Sequence, residues 1–482
     1  MSLLYKPGIY EKIIAGLIKG KALAWDSTVP ASLRHYLEGV DLAARTVQQG
    51  RDHGIPPYIV FRPFCGRLSA HNFDQLIDVM EPDRIDTMKR LYVEVADIDL
   101  FTGILSERPM NGAMVGPTAS CLLSLQFKVL KQTDRYWYEN DLPPSSFSKE
   151  QLYELRKFSL ARLLCDNVPG MDQVPKSPFL AIDPFLNAPV SCEDIEAPNL
   201  RMWKTEGKVF LKEELLKQMV NNGKEKVEKL RQMEKLIFEK GLVAESKSTL
   251  GSAYANNKPN PTSIVMANTS ILLEATSQEL LIAINDRRVR RQSPFLDNLN
   301  GLDAEVSLPS VDISGLVPPA PLIRSCVEIE EHRQCDPNQK FRTISGHCNN
   351  LQRPDYGRSN TVFARMLPAA YGDGVSVPRT RSVTGGPLPS PRTVSTSIHN
   401  DISHPHARYT LMVMQFGQFL DHDITFTPLN KGFQNSILDC RDCESPQRVH
   451  PECWPITVDA NDPHFPAVNI SSGRPFCISF TR

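Results

Sequence analysis

Apolar positions recur at helical spacing through residues 82–105, 114–131 and 148–165, interrupted by Pro and Gly. They predict a mostly helical stretch over residues 1–206. Within 207–242, Leu216, Val220, Val227, Leu230 and Ile237 recur among Lys and Glu, and Gly241 sits where a C-cap glycine belongs. This predicts a charged amphipathic helix that packs one stripe on its neighbours, rather than a coiled coil. Residues 243–325 lose the period and are frequent in Ser, Asn and Pro, which reads as linker. One exception is Thr276-Ser-Gln-Glu279, a capping-box pattern ahead of an apolar run. Residues 326–482 are irregular and rich in Cys and Pro, with one strong helix expected at about 407–424. The fold class predicted is mainly α, with stapled loops and little strand.

That last helix carries an anomaly. In MQFGQFLDHDITFTP (414–428), Gln418, Asp421, His422 and Thr425 fall within a sector of about 100° on a helical wheel. Met412, Phe416, Phe419 and Leu420 surround them. A polar wedge on an apolar helix predicts a buried face with a partner, because an unpaired buried polar group costs a few kcal/mol. A lone histidine there reads as a satisfied core residue. The run Asp421-His422-Asp423 reads differently, since the two carboxylates point about 200° apart and can serve two different partners.

Composition narrows the class. The chain has 482 residues, 41% hydrophobic and 23% charged, with a formal net charge of -1. Such a balance is globular and gives no reason to expect nucleic acid or an anionic membrane surface. No window reaches 18 uninterrupted apolar residues, so no membrane span is expected, and the N-terminus has no signal-peptide pattern. The eleven cysteines point to an oxidising, extracellular compartment, because Cys335, Cys348, Cys440, Cys443, Cys453 and Cys477 crowd into loop-like sequence with little core of its own. Cys440 and Cys443 also form a CxxC, but no second CxxC or HxxxH lies at a zinc-site distance. Asn268-Thr-Ser and Asn469-Ile-Ser are glycosylation sequons compatible with secretion. Arg288-Val-Arg-Arg291 is either a furin-type cleavage step or a solvated basic loop.

MQFGQFLDHDITFTP resembles the distal-haem helix of the animal haem peroxidase family. CDPNQKFRTISGHCNNLQRPDYG, MLPAAYGDGVSVPR and VTGGPLPSPRTVSTSIH resemble the N-terminal part of the same domain. The resemblance implies oxidation of small donors or tyrosyl groups by hydrogen peroxide on heme b. It implies that His422 moves the peroxide proton and that Gln418 orients water or halide. Asp421 is implied as an ester link to the haem, and Asp423 as a calcium ligand. Residue chemistry agrees: imidazole suits proton transfer near neutrality, and calcium prefers carboxylate oxygen. The same resemblance implies the pairings Cys335–Cys348, Cys440–Cys453 and Cys443–Cys477.

The first 206 residues resemble the family's C-terminal part, through QQGRDHGIPPYIVFRPFCG, VGPTASCLLSLQFKVLKQTDRYWYEN and LARLLCDNVPGM. They imply the pairings Cys65–Cys121 and Cys165–Cys192, leaving Cys326 as a free thiol or an intermolecular link. The expected organisation is therefore residues 1–206 as the end of one peroxidase domain, a helix at 207–242, a linker at 243–325, and residues 326–482 as the start of a second domain, as in a window cut from a tandem peroxidase. Such a window lacks the family's proximal histidine, its calcium loop and its catalytic arginine. In ARTVQQGRDHG, Thr46 and Gln49 also depart from the family's asparagine and arginine. Arg51, Asp52 and His53 read as a structural hydrogen-bond network. The leading expectation is a peroxidase impaired on its own. The alternatives are two halves that dock as in one domain, and a non-catalytic extracellular or matrix interaction module.

Overall fold

The computed structural model describes residues 6–36, 40–203, 217–226, 335–342, 346–358, 363–400, 404–425, 438–466 and 475–480, together with 228, 229, 232, 279, 361 and 468. The Arg288–Arg291 step, Cys326, both sequon asparagines and Gly241 lie outside these residues, as does most of the linker. Of the amphipathic helix, residues 217–226 are helical. Asn222 and Lys226 on it contact Glu279, the acid of the expected capping box.

Helices dominate, and the strands are short. The first stretch contains α1 (Ile9–Lys19), β1 (Lys21–Leu23), α2 (Leu42–Asp52), α3 (Tyr58–Phe64), α4 (Pro82–Leu91), α5 (Leu100–Leu105), α6 (Pro117–Thr133), α7 (Lys149–Leu155), α8 (Leu160–Asn167), β2 (Gln173–Pro175) and β3 (Pro189–Ser191). The second contains α9 (Pro391–Ile398), β4 (Pro405–Thr410), α10 (Leu411–Ile424), α11 (Pro446–Val449), β5 (Ile456–Thr457) and β6 (Cys477–Ile478). Local chemistry accounts for several ends. Asp41 caps α2 by accepting from Ala44 N, Ser148 and Gln151 form a capping box on α7, and Pro opens α4, α6, α9 and α11.

The helix expected at 407–424 starts later. Residues 405–410 extend instead and pair antiparallel with β1, with Lys21 opposite Thr410 and Leu23 opposite Pro405. Thr410 Oγ1 also donates to Pro178 O at 2.6 Å. A neighbouring strand supplied hydrogen bonds that local periodicity cannot anticipate, and it took the first turn away from the helix.

All five disulfides implied by the family pattern are present: Cys65–Cys121, Cys165–Cys192, Cys335–Cys348, Cys440–Cys453 and Cys443–Cys477. Cys440 and Cys443 are therefore committed to separate bridges rather than to zinc.

The two stretches share their cores. Val394 and Ile398 of α9 are buried with Val47, Tyr58, Ile85, Met88 and Tyr92. Met412 of α10 packs with Ile14, Ile18 and Leu164, and Ala44 of α2 packs with Ile456, Phe465 and Ile478. Each fully buried aliphatic side chain contributes about 1.5–3 kcal/mol. Close approaches are built in as well. Gly54 has φ +59, and a Cβ there would meet the Tyr371 ring at 2.8 Å. At Gly103 of α5 a Cβ would meet Tyr58 Cγ at 2.2 Å. Tyr58 cannot retreat easily, because it is fully buried and its hydroxyl donates to Glu107 Oε1 at 2.7 Å. Gly103→Ala is expected to lower stability by about 1–3 kcal/mol through overpacking. Denaturant unfolding checks this, and an unchanged midpoint would mean that α3 and α5 separate freely.

Candidate functional site

The candidate site is the C-terminal half of α10. Its N-terminal end is anchored: Leu411 N donates to Gly20 O at 2.8 Å, and Met412 is buried. Phe179 meets Phe416 edge-on at 5.2 Å between centroids. Beyond this anchor the helix projects from the core. Gln418, Asp421, His422 and Asp423 are all exposed, and Phe419 is 62% exposed. The burial expected for the polar wedge does not occur, because the packed contacts of α10 fall on its first two turns, at Met412 and Phe416, and leave the polar positions facing solvent. Asp421 closes the helix locally: its Oδ1 accepts from Thr425 Oγ1 at 2.7 Å, and its carbonyl accepts from Thr425 N at 2.8 Å.

A haem needs an enclosing cleft and an axial ligand on the iron. The described residues around α10 do not fit it, since Gln418, Asp421 and His422 present their side chains to solvent. Asp423 belongs to no ligand cluster among the described residues. The one group of three close His, Cys, Asp or Glu ligands there is Cys335, His347 and Cys348, whose sulfurs are joined as a disulfide. A cavity of about 460 Å³ lies elsewhere, between α1 and residues 168–175, and no histidine lines it.

Buried charge is concentrated at a different place. Arg51 Nε and Nη2 grip Asp99 at 2.9 and 2.7 Å, Tyr92 Oη donates to the same carboxylate at 2.9 Å, and Arg51 Nη1 donates to Pro389 O at 2.9 Å. Arg51 thus has the structural role expected of it, with the Asp99 carboxylate holding its guanidinium pKa above the ordinary value against the cost of burial. His53 Nδ1 lies 2.9 Å from Gln49 O, on its own helix. Thr46 Oγ1 likewise donates to Leu42 O at 2.8 Å.

Arg392 on α9 is the larger hub. Its Nη1 reaches Asp41 Oδ2 at 2.5 Å, its Nε and Nη2 reach Asp462 at 2.7 and 3.0 Å, and its guanidinium stacks 4.6 Å over Phe465. Burial disfavours the charge of Asp462, but the paired guanidinium and two backbone N–H groups outweigh it and bring the carboxyl pKa to about 2. His399, the C-cap of α9, is fully buried. Its Nδ1 lies 2.6 Å from Ser27 O and its Nε2 lies 3.3 Å from Thr102 Oγ1, while burial lowers its pKa to about 4. His35 stacks on His464 at 3.5 Å and is lowered to about 4, first by burial and then by His464, Arg34 and Arg392. Reading by sequence missed these groups. The available signal was a charged residue and a histidine on the apolar face of SPRTVSTSIH, behind the Ser390-Pro391 helix start.

Fold and site together define a class: a mainly helical, disulfide-stapled domain with an acid–base helix at its surface. The animal haem peroxidase family model matches residues 1–179 and 341–482, and the chain belongs to that family. The human (Homo sapiens) peroxidasin homolog is 42% identical over 166 residues, covering 34% of this chain and 11% of that protein. Mouse (Mus musculus) lactoperoxidase is 33% identical over 210 residues, covering 42% of this chain and 29% of that protein. The chain thus spans only a small part of the curated relatives it matches. A solved structure, peroxidase A from Dictyostelium discoideum, aligns with a TM-score of 0.31 at 29% identity, over 35% of this chain and 33% of that one. Among the described residues no helix is long and apolar enough to cross a membrane.

Proposed function

We propose that the chain carries the distal-side residues of a haem peroxidase, His422 with Gln418 and Asp421, and that alone it oxidises small or tyrosyl donors with hydrogen peroxide only weakly. The observation that carries this reading is the exposure of the polar face of α10 in a chain that belongs to a peroxidase family. The heme b and the calcium at Asp423 that the family implies would be held weakly at best, because the described residues around α10 enclose neither. The His422 imidazole stands in open solvent, where no described residue holds peroxide against it. On this reading residues 1–206 are the end of one domain and residues 326–482 the start of another, as their resemblance to the family's C-terminal and N-terminal parts implies. Five disulfides support a secreted, extracellular setting.

The test is expression through a secretory pathway with haem supplied, followed by the visible spectrum and a donor-oxidation rate. Substoichiometric haem and a rate no higher than that of free haem are expected. A stoichiometric complex with a peroxide-responsive Soret band would overturn the proposal.

The second reading is a non-catalytic extracellular or matrix interaction module. It is favoured by Thr46, whose hydroxyl is bonded within its own helix while the buried Arg51 and Arg392 networks stand complete. Binding to matrix proteins that persists in His422→Ala, with no peroxidase activity in either form, would favour it.

A further inference from the structure

The contact between residues 6–203 and 335–480 sets polar bonds beside the shared apolar clusters. From the first stretch, Arg34 Nη1 donates to Ser395 O at 3.3 Å, Arg84 Nη1 to Ile398 O at 3.2 Å, Arg51 Nη1 to Pro389 O and Gln48 Nε2 to Trp454 O at 3.0 Å. From the second, Ser382 Oγ and Val383 N donate to the Asp97 carboxylate at 2.6 and 3.0 Å, and Arg392 pairs with Asp41. Main-chain bonds add to this. Ala24 N donates to His404 O at 2.7 Å, Ala181 N to Arg408 O at 2.8 Å and Ala370 N to Gly54 O at 2.8 Å. No disulfide among the described residues crosses the contact. Cys65–Cys121 and Cys165–Cys192 lie on one side, and Cys335–Cys348, Cys440–Cys453 and Cys443–Cys477 on the other.

We infer that residues 6–203 form a receptor surface for residues 335–480, held with no disulfide between them among the described residues, so that the two pieces stay associated after the chain between them is cut. The surface fits a short helix with an arginine at its second position, aliphatic residues at its fourth and eighth, and an imidazole at its C-cap, as Arg392, Val394, Ile398 and His399 provide. Opening it strands Asp41, Asp97 and the donors of Arg34, Arg51 and Arg84 without these partners. Water rehydrates these groups on separation, so the ion pairs hold the pieces only modestly, whereas removing Arg392 with the contact closed would leave Asp41 buried and unpaired. The apolar side chains Val394, Ile398 and Met412 leave water at the same contact.

The experiment uses the full chain with a specific protease site inserted between residues 250 and 260, cut at neutral pH without reductant and run on gel filtration. The pieces are expected to elute together at the volume of the uncut chain, and to do so after tenfold dilution. In the same chain, Arg392→Met is expected to weaken the association by roughly a hundredfold or more, so that dilution separates the pieces. Arg441→Gln, which removes an exposed pair with Asp439 inside one stretch, is expected to leave them together. Distinct peaks from the cut wild-type chain overturn the inference. So does equal loosening by Arg441→Gln, which would take the contact away from Arg392.

Discussion

Arg392→Met is expected to destabilise the protein by about 3–5 kcal/mol, the range for breaking a buried ion pair by removing one partner. The reason is the number of groups left behind. Asp41 and Asp462, whose side chains are 0% and 2% exposed, would both lose the guanidinium. Methionine restores some of the apolar contact with Phe465 but donates to neither carboxylate. Asp41 also caps α2 through its other oxygen, so an uncompensated charge there disturbs the helix start as well. The measurement is the guanidinium midpoint with its slope. A fall in midpoint with an unchanged slope is expected, and a loss below about 1 kcal/mol, ordinary for a surface pair, would sink the assignment of Arg392 as the hub.

The second large effect is a loss of stability with acid, through His399. Its folded pKa of about 4 lies below the ordinary 6.5, so it is the unfolded chain that takes up the proton first. Above pH 6.5 the residue is neutral in both states and its contribution is constant. Between pH 6.5 and 4 the unfolded state binds a proton that the folded state refuses, and stability falls by about 1.4 kcal/mol per pH unit, roughly 3 kcal/mol in all. Below pH 4 the contribution stays lost. The groups facing this imidazole are Ser27 O, Thr102 and Phe101, with the charges of Asp41, Arg34 and Arg84 farther off. His35 acts in the same direction and over the same window. Asp462 behaves differently: its lowered pKa stabilises the fold above the ordinary carboxylate value near 3.8, and that contribution disappears only as pH falls toward 2. Unfolding midpoints at pH 7 and 5.5 therefore read chiefly the histidines, while by pH 4 carboxyls with lowered pKa such as Glu139 and Glu154 add to the loss. His399→Asn should start less stable and show a flatter profile over that range, and a profile as steep as wild type would exclude His399 as the source.

Much of the helical framework was legible because amphipathic period and end signals are local. Pro82 and Pro117 open helices, Ser148 with Gln151 closes a capping box, and the apolar run at 148–165 becomes α7 and α8. The five disulfides were legible only through the family resemblance, since spacing alone leaves several pairings open. The start of α10 was not legible, because β1 lies nearly 400 residues away along the chain and claims residues 405–410. Nor was the exposure of His422. A polar wedge among Phe416, Phe419 and Leu420 implies a partner, but a helix sequence does not say whether that partner packs against it in this chain.

By itself the sequence determined which residues carry candidate chemistry, since Gln418 stands about one helical turn before the consecutive Asp421, His422 and Asp423 whatever surrounds them. It also determined the family, through motifs distributed over both stretches. Tertiary structure alone decided that those stretches share buried clusters. It decided too that buried charge networks, Arg51 with Asp99 and Arg392 with Asp41 and Asp462, lie away from α10. The physical reason is one of range. Helix period, caps and residue type act over a few positions, whereas desolvating a guanidinium depends on carboxylates and carbonyls brought together from hundreds of residues away.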